Sequence, residues 1–319
     1  ICPSEAPHFA GRRRVFLNSM VIKQPRAGRL RHNYITISFA TQTIWSCPPP
    51  LAGVGYETWK TVILCGGTGT RMKEETEFKP KPLVLVGGKP ILWHIMKIYA
   101  HHGYNEFILA LGYKGHMIKE FFMNWRNLVN DFTHETKSNS ITFHNNDCDD
   151  FKITFVDTGE DSLTGERVRR LAKYIGEEDF MLTYGDGVAD INIGELVEFH
   201  KSQNTAATIT GVQPSNRFGF LDISSDRKKV EGFRQNNVTE DGSKSKDFIN
   251  GGFMIFKNEV LRLIEEGSMI ESVFEPLIKK KQLSVLLHEG DWKCMDTYKE
   301  VEELNELWQK NPFWKVWKS

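Results

Sequence analysis

Short apolar runs alternate with segments of helical period from Lys60 onward, and this alternation is the strongest constraint on the fold. The first run, residues 61–64, is continuous and ends at Gly66-Gly67, which is typical of a parallel strand buried on both faces. Residues 91–102 then repeat their apolar side chains at helical spacing, and further strands and helices follow in turn. This order predicts an α/β fold with a mostly parallel sheet flanked by helices.

The pattern changes between residues 218 and 256, where short strands alternate with polar turns. This change predicts a small mixed β subregion, roughly residues 215–256, beside the main Rossmann-like sheet. Residues 260–281 are predicted to be helical again, residues 283–288 to form a strand, and residues 298–309 to form a closing amphipathic helix.

The first 58 residues differ from the rest, because they carry seven basic side chains against two acidic ones and show no sustained period. We expect a disordered or non-native N-terminal extension there, such as translated upstream sequence, followed by one domain over residues 59–319. An organelle transit peptide is the alternative for such an Arg-rich, acid-poor segment. The Arg12-Arg13-Arg14 cluster is predicted to be solvated, with an acidic partner as the alternative.

Composition excludes several classes of protein. The 41 basic and 41 acidic residues cancel, which disfavours a general nucleic-acid binder. The five cysteines are scattered without a C-x-x-C pair, so neither a disulfide framework nor a zinc site is expected, and a reducing cytoplasm is the predicted location. No run of about 18 apolar residues occurs, so no membrane span is expected.

A glycine-rich turn follows the first strand directly. Backbone N–H groups in such a turn can close around phosphate oxygens where a Cβ would collide. The turn is neither a P-loop, since no Gly-Lys-Ser/Thr follows, nor the G-x-G-x-x-G dinucleotide motif, whose third glycine is missing. Arg71 and Lys81 add fixed positive charge beside it, although a purely structural turn remains the alternative at this point.

The stretch GGTGTRM (66–72) followed by KPKP (79–82) resembles the signature of the sugar-nucleotide pyrophosphorylases, which join a nucleoside triphosphate to a sugar 1-phosphate. Further stretches resemble the glucose-1-phosphate cytidylyltransferase branch of that family, and the resemblance runs from Lys60 to about Trp317. These stretches are GGKPILWHIM (87–96), GYKG (112–115), VDTG (156–159), TGER (164–167), YGDGVAD (184–190), RFG (217–219), INGGF (249–253) and MDT (295–297).

The resemblance implies an activity. The sugar phosphate oxygen of glucose 1-phosphate would attack the α-phosphorus of CTP in line, giving CDP-glucose and pyrophosphate, with Mg²⁺ as the cofactor. Such transfer needs positioning and charge neutralisation more than a covalent nucleophile, and no convincing Ser, Cys or His triad is evident. A homo-oligomer is also implied.

Two acids far apart in sequence, Asp186 and Asp296, could together hold Mg²⁺, which prefers oxygen ligands and substrate phosphates. By resemblance these two are the metal ligands, and Asp186 is also catalytic together with Arg71 and Lys81. The resemblance assigns sugar binding to Asn250, Gly251 and Glu275, with a solvated helix position as the alternative for Glu275. The residues assigned to the nucleotide are Leu64, Gly66, Gly67, Thr68, Gly69, Thr70, Arg71, Lys81, Thr164, Arg167 and Gly185.

The chain departs from the family pattern at residues 233–237. Members of the resembled family carry Phe-x-Glu-Lys-Pro there, and the lysine contacts the sugar phosphate, whereas this chain has Phe-Arg-Gln-Asn-Asn. Losing a cation opposite a phosphate weakens binding by about 1.5–3 kcal/mol. Arg234, Lys244 or Lys246 could replace it. The alternatives are therefore the same chemistry with another triphosphate or sugar 1-phosphate, a non-catalytic nucleotide-sugar binding or regulatory protein, and, last, a dinucleotide oxidoreductase.

Overall fold

A computed structural model describes residues 59–69, 72, 76–213, 219–235 and 248–318. The expectations for residues 1–58, and those for Thr70, Arg71, Lys244 and Lys246, lie outside these ranges.

The secondary structure follows the predicted alternation. The strands are β1 (Thr61–Cys65), β2 (Leu85–Val86), β3 (Lys89–Pro90), β4 (Glu106–Leu111), β5 (Phe132–Glu135), β6 (Ser140–Phe143), β7 (Lys152–Asp157), β8 (Phe180–Tyr184), β9 (Gly187–Ala189), β10 (Ala207–Val212), β11 (Gly219–Ile223), β12 (Val230–Gln235), β13 (Ile249–Phe256), β14 (Leu283–His288) and β15 (Trp292–Cys294). The helices are α1 (Ile91–His101), α2 (Gly115–Met123), α3 (Trp125–Val129), α4 (Thr164–Arg170), α5 (Ala172–Ile175), α6 (Ile193–Gln203), α7 (Phe274–Lys279) and α8 (Tyr298–Lys310). Short 3₁₀ turns occur at Lys81–Leu83, Asn258–Leu263 and Ile270–Val273.

Seven strands form the central sheet in the order β14-β10-β13-β8-β1-β4-β7. The pairs β1–β4, β1–β8, β4–β7 and β10–β14 are parallel, whereas β13 runs antiparallel to both of its neighbours. The α/β prediction with a mostly parallel sheet flanked by helices is confirmed.

Alternate residues of the inner strands fill two apolar cores. Ile63 of β1 belongs to one core and its neighbour Val62 to the other, and Leu109 and Ile108 of β4 divide in the same way. All four side chains are at most 1% exposed. The apolar run of β1 therefore reads as continuous because it is covered on both faces.

Two expectations need correction. β13 lies within the main sheet rather than beside it, and of the described strands between residues 219 and 256 only β11 and β12 form a separate two-stranded sheet. Seven of the eight β13 residues are buried, so this strand gains more from a central position than from the periphery. Residues 260–281 are not one helix, because the chain turns at Gly267 with φ of 67°, and α7 begins only at Phe274.

The sheet determines where the site residues meet. β1 and β8 pair in parallel with Leu64 opposite Tyr184, so the turns that follow both strands lie side by side at one sheet edge. β9 and β15 pair with Gly187 opposite Cys294, and the N–H of Met295 donates to the carbonyl of Asp186 at 2.9 Å.

Within the described ranges, no helix is long and apolar enough to cross a membrane.

Candidate active site

Arg167 of α4 lies against the glycine-rich turn of residues 66–69 and donates a hydrogen bond to it. Its side chain is 4% exposed, and its five hydrogen-bond acceptors lie 2.6 to 3.2 Å away. Those acceptors are the backbone carbonyls of Gly66, Leu111, Gly159 and Glu160 and the hydroxyl of Thr158. Burial lowers the pKa of Arg167 from its ordinary value. Because its donors are engaged by the protein, Arg167 shapes the turn rather than presenting a free cation.

Two glycines in this region are required by close contact. A Cβ on Gly66 would lie 2.2 Å from the Arg167 guanidinium, and a Cβ on Gly185 would lie 2.7 Å from the carbonyl oxygen of Leu64. Gly67, by contrast, has no atom within 4 Å of a built Cβ. The absence of a Cβ at Gly66 therefore leaves room for the Arg167 guanidinium, and at Gly185 it lets the turn after β8 pack against β1.

Lys81 joins the two predicted metal ligands. Its Nζ lies 2.6 Å from an oxygen of Asp186 and 2.6 Å from an oxygen of Asp296. The lysine side chain is 13% exposed and the two carboxylates 28% and 26%. Burial opposes the charge on Lys81, but the two carboxylates outweigh it and raise the pKa of this ammonium above its ordinary value. Lys81 is therefore cationic at neutral pH.

Two thiols lie beside this cluster. Burial raises the pKa of Cys65, and burial together with the carboxylate of Asp296 raises the pKa of Cys294. Both thiols are therefore protonated at neutral pH, which disfavours either as a nucleophile.

Two cavities adjoin at Tyr184 and Asp186, which line both. The larger, of about 460 Å³, lies between the glycine-rich turn, Lys81 and the segment from Glu160 to Arg167. The smaller, of about 250 Å³, is bounded by β13, Trp292, Phe233 and Asp296. Two small-molecule ligands, one in each cavity, could therefore meet beside Lys81, Asp186 and Asp296.

The larger cavity brings together most of the residues assigned to a nucleotide. It is lined by Leu64, Gly66, Gly67, Thr68, Gly69, Lys81, Thr164, Arg167 and Gly185. Asn250 and Gly251, which the resemblance assigned to the sugar, line the smaller cavity.

The smaller cavity does not include Glu275. That carboxylate is 76% exposed and pairs with Lys279 at 2.6 Å on the outer side of α7. The acid that lines the cavity is Glu271, on the 3₁₀ turn before α7. Sequence reasoning missed Glu271, because no local motif distinguishes it from Glu275 and only the turn at residues 270–273 directs it inward.

The two carboxylates suit Mg²⁺ but are too few to bind a metal ion through protein side chains alone. Among the described residues, no group of three or more His, Cys, Asp or Glu side chains could hold a metal ion. The carboxylates of Asp186 and Asp296 converge on the Lys81 ammonium, and Asp186 lines both cavities whereas Asp296 lines the smaller one. Mg²⁺ is commonly bound by one or two carboxylates, several waters and substrate phosphates, so this pair suits it.

Residues 60–313 match the family model described as nucleotidyl transferase. The chain is 42% identical over 262 residues to a probable glucose-1-phosphate cytidylyltransferase of Bacillus subtilis, covering 81% of this chain and 100% of the relative. It is 43% identical over 263 residues to the glucose-1-phosphate cytidylyltransferase of Salmonella typhimurium, covering 81% and 99%.

Solved structures show the same fold at lower identity. A putative glucose-1-phosphate thymidylyltransferase from Bacillus anthracis, in complex with a sucrose, superposes with a TM-score of 0.63 at 17% identity, covering 79% of this chain and 96% of that one. A UDP-glucose pyrophosphorylase complexed with UDP-glucose superposes with a TM-score of 0.62 at 12% identity, covering 80% and 99%.

Proposed function

The chain belongs to the nucleotidyl transferase family, and on that premise we propose that it is a glucose-1-phosphate cytidylyltransferase. It transfers the cytidylyl group of CTP to α-D-glucose 1-phosphate and releases pyrophosphate. The reaction depends on Mg²⁺, and the enzyme works as a homo-oligomer. The identity to the cytidylyltransferases over nearly their whole length supports the choice of CTP and glucose 1-phosphate.

One observation carries the chemistry: Lys81, Asp186 and Asp296 meet where the two cavities adjoin. A transfer between two substrates requires neighbouring pockets that share the reacting centre. In this proposal the larger cavity holds CTP and the smaller one the sugar. The α-phosphate of CTP then lies near Lys81 and Asp186.

The chain's own residues orient the reactants and neutralise charge. The backbone of residues 66–69 receives the triphosphate, and Arg167 keeps that turn in shape. Lys81 stabilises the negative charge that grows on the phosphates, and Arg71 is proposed to assist it. Thr164 and Gly185 contribute to the nucleotide pocket.

Asp186 and Asp296 are proposed to hold Mg²⁺, which when bound neutralises phosphate charge and acts as a Lewis acid. An oxygen of the sugar phosphate forms the new bond to the α-phosphorus of CTP. The bond from that phosphorus to the bridging oxygen breaks, and pyrophosphate leaves with the electron pair.

Pyrophosphate release tests the proposal. The purified full chain is offered CTP, UTP, dTTP or GTP, each with glucose 1-phosphate and Mg²⁺. We expect release with CTP, and loss of it in Asp186→Asn but not in the matched Asp131→Asn, which changes an exposed acid away from both cavities. Release with another triphosphate only would reassign the base. No release, while CTP still raises the melting temperature, would favour a binding protein. Light scattering of the same sample gives the oligomeric state.

A further inference from the structure

Glu271 stands out among the residues of the smaller cavity. It lies on the 3₁₀ turn Ile270–Val273, and its Oε1 accepts a hydrogen bond from the hydroxyl of Tyr184. Its Oε2 is buried and has no hydrogen-bond partner within the described part of the chain. A buried charged acceptor without a partner carries a desolvation cost, and such atoms in native structures call for an explanation.

The position of this carboxylate is well supported. The N–H of Ile270 donates to Oγ1 of Thr164 at 2.9 Å, and the N–H of Glu166 donates to the carbonyl of Ser268 at 3.0 Å. These bonds tie the 3₁₀ turn to α4. The hydroxyl of Tyr184 is the donor in its hydrogen bond to Oε1 of Glu271, because a carboxylate oxygen accepts.

The other polar groups of the cavity are engaged elsewhere. Oδ1 of Asn250 accepts from the N–H of Gly252 at 3.0 Å, and Nε1 of Trp292 donates to the carbonyl of Gly251 at 2.8 Å. Asp186 and Asp296 are bound to Lys81. Among the described residues that line this cavity, Oε2 of Glu271 is therefore the buried side-chain acceptor that has no hydrogen-bond partner.

We propose that Glu271 is a specificity-determining residue, whose second carboxylate oxygen accepts a hydrogen bond from one hydroxyl of the sugar 1-phosphate. The inference rests on the proposed function, and it deepens that function by naming a sugar contact. The torsion about the Cγ–Cδ bond is broad, so a partial rotation would bring this oxygen to the cavity while the other oxygen stays within reach of the Tyr184 hydroxyl. The chain lacks the family Glu-Lys-Pro after Phe233 and has Gln235 at the glutamate position. In this proposal a carboxylate on a different element, Glu271, accepts the hydrogen bond from the sugar instead.

The test combines one variant with a set of substrates. Glucose 1-phosphate and its 2-, 3-, 4- and 6-deoxy analogues are compared in wild type and Glu271→Ala by pyrophosphate release. In wild type, one analogue is expected to lose at least about tenfold in kcat/KM, the scale of a hydrogen bond to a charged group. Glu271→Ala is expected to lose a similar factor with glucose 1-phosphate and to show no further loss with that same analogue. The KM for CTP is expected to change by less than about twofold.

Three further variants keep the test decisive. Glu265→Gln alters an exposed acid on the same segment and is expected to match wild type. Glu271→Gln retains an acceptor for Tyr184, so it separates sugar recognition from a folding defect. This variant is expected to lose discrimination between glucose 1-phosphate and the deoxy analogue that wild type disfavours. Glu275→Gln examines the acid that the sequence favoured. If it, rather than the Glu271 variants, abolishes the discrimination, the inference is overturned.

Failure of the inference is distinct from failure of the proposed function. A wild-type enzyme that is silent with CTP and glucose 1-phosphate would refute the function itself. An active wild type whose Glu271 variants discriminate among the deoxy analogues as before would refute only the role of Glu271.

Discussion

Asp186 and Asp296 share one ammonium group, since Nζ of Lys81 lies 2.6 Å from an oxygen of each. The three residues come from separate parts of the chain: Lys81 begins a 3₁₀ turn, Asp186 follows β8 and Asp296 follows β15. The lysine occupies a place between the carboxylates that another cation could take. The charge of Lys81 therefore balances both carboxylates, and a metal ion binding to the same oxygens would compete with it.

Replacing Lys81 by Met is expected to lower kcat by about 10²–10³-fold, because a cation that stabilises developing phosphate charge is lost. The variant also leaves two half-buried carboxylates facing each other, so its melting temperature without metal should fall. Mg²⁺ alone, without nucleotide, should then raise the melting temperature of Lys81→Met more than that of wild type. Thermal denaturation over a Mg²⁺ titration measures this. An equal shift in both proteins would mean that the lysine and the metal do not compete.

Substituting Gly66 or Gly67 by Ala compares a glycine in close contact with one that faces open space. Gly66→Ala forces the Arg167 guanidinium to move, because the new Cβ would lie 2.2 Å from it, and we expect a loss of about 2–3 kcal/mol in unfolding free energy. Gly67→Ala meets no atom within 4 Å, so its stability should stay within about 0.5 kcal/mol of wild type. Urea denaturation compares the two. Equal losses would show that Arg167 does not depend on the absence of a Cβ at Gly66.

Arg167→Lys is expected to raise the KM for CTP by about tenfold or more and to lower stability. A lysine has three donors on a single nitrogen and cannot reach the five acceptors that the guanidinium holds around the turn. Lys173→Met, which removes an exposed cation beyond α4, is the control and should leave both quantities unchanged. Initial rates at varied CTP and thermal denaturation measure the two effects. An unchanged KM in a destabilised variant would restrict Arg167 to folding.

His94 makes stability depend on pH. Its ring is fully buried, its Nε2 bonds the carbonyl of Val86 at 2.8 Å, and Nε1 of Trp314 donates to its Nδ1 at 3.2 Å. Burial lowers the pKa of His94 to about 4. In the unfolded chain this histidine takes up a proton near pH 6.5. The stabilisation of the folded state by neutral, buried His94 is therefore fully present above that pH and is lost as the pH falls toward 4. The unfolding free energy lost through this one group is on the order of 3 kcal/mol.

Unfolding free energies at pH 7 and pH 5 measure the effect. His94→Gln should be less stable than wild type at pH 7 and should show a smaller difference between the two pH values. It should not abolish the difference, because burial also lowers the pKa of His102 and His200 to about 4. His116→Gln changes an exposed ring and should keep the wild-type difference. A His94 variant with the full wild-type difference would contradict the assignment.

Much of the fold follows from local pattern. The limits of β14 agree with the sequence prediction, and those of β1, α1 and α8 differ from it by one residue at one end. These elements are set by the spacing of apolar residues and by glycines, which neighbouring residues express directly. The position of β13 in the sheet was not predictable in this way, because strand order depends on pairing between distant segments.

The sequence by itself determined the class of fold, the glycine-rich turn after β1 and the types of residue that the chemistry requires. It also named Lys81, Asp186 and Asp296 through motifs. Only the tertiary structure decided that Lys81 bridges the two acids, that Arg167 donates to backbone carbonyls around the turn, and that Glu271 rather than Glu275 lines the smaller cavity. The physical reason is that a motif fixes which side chains are present, whereas partners, burial and direction depend on contacts between segments far apart in the chain.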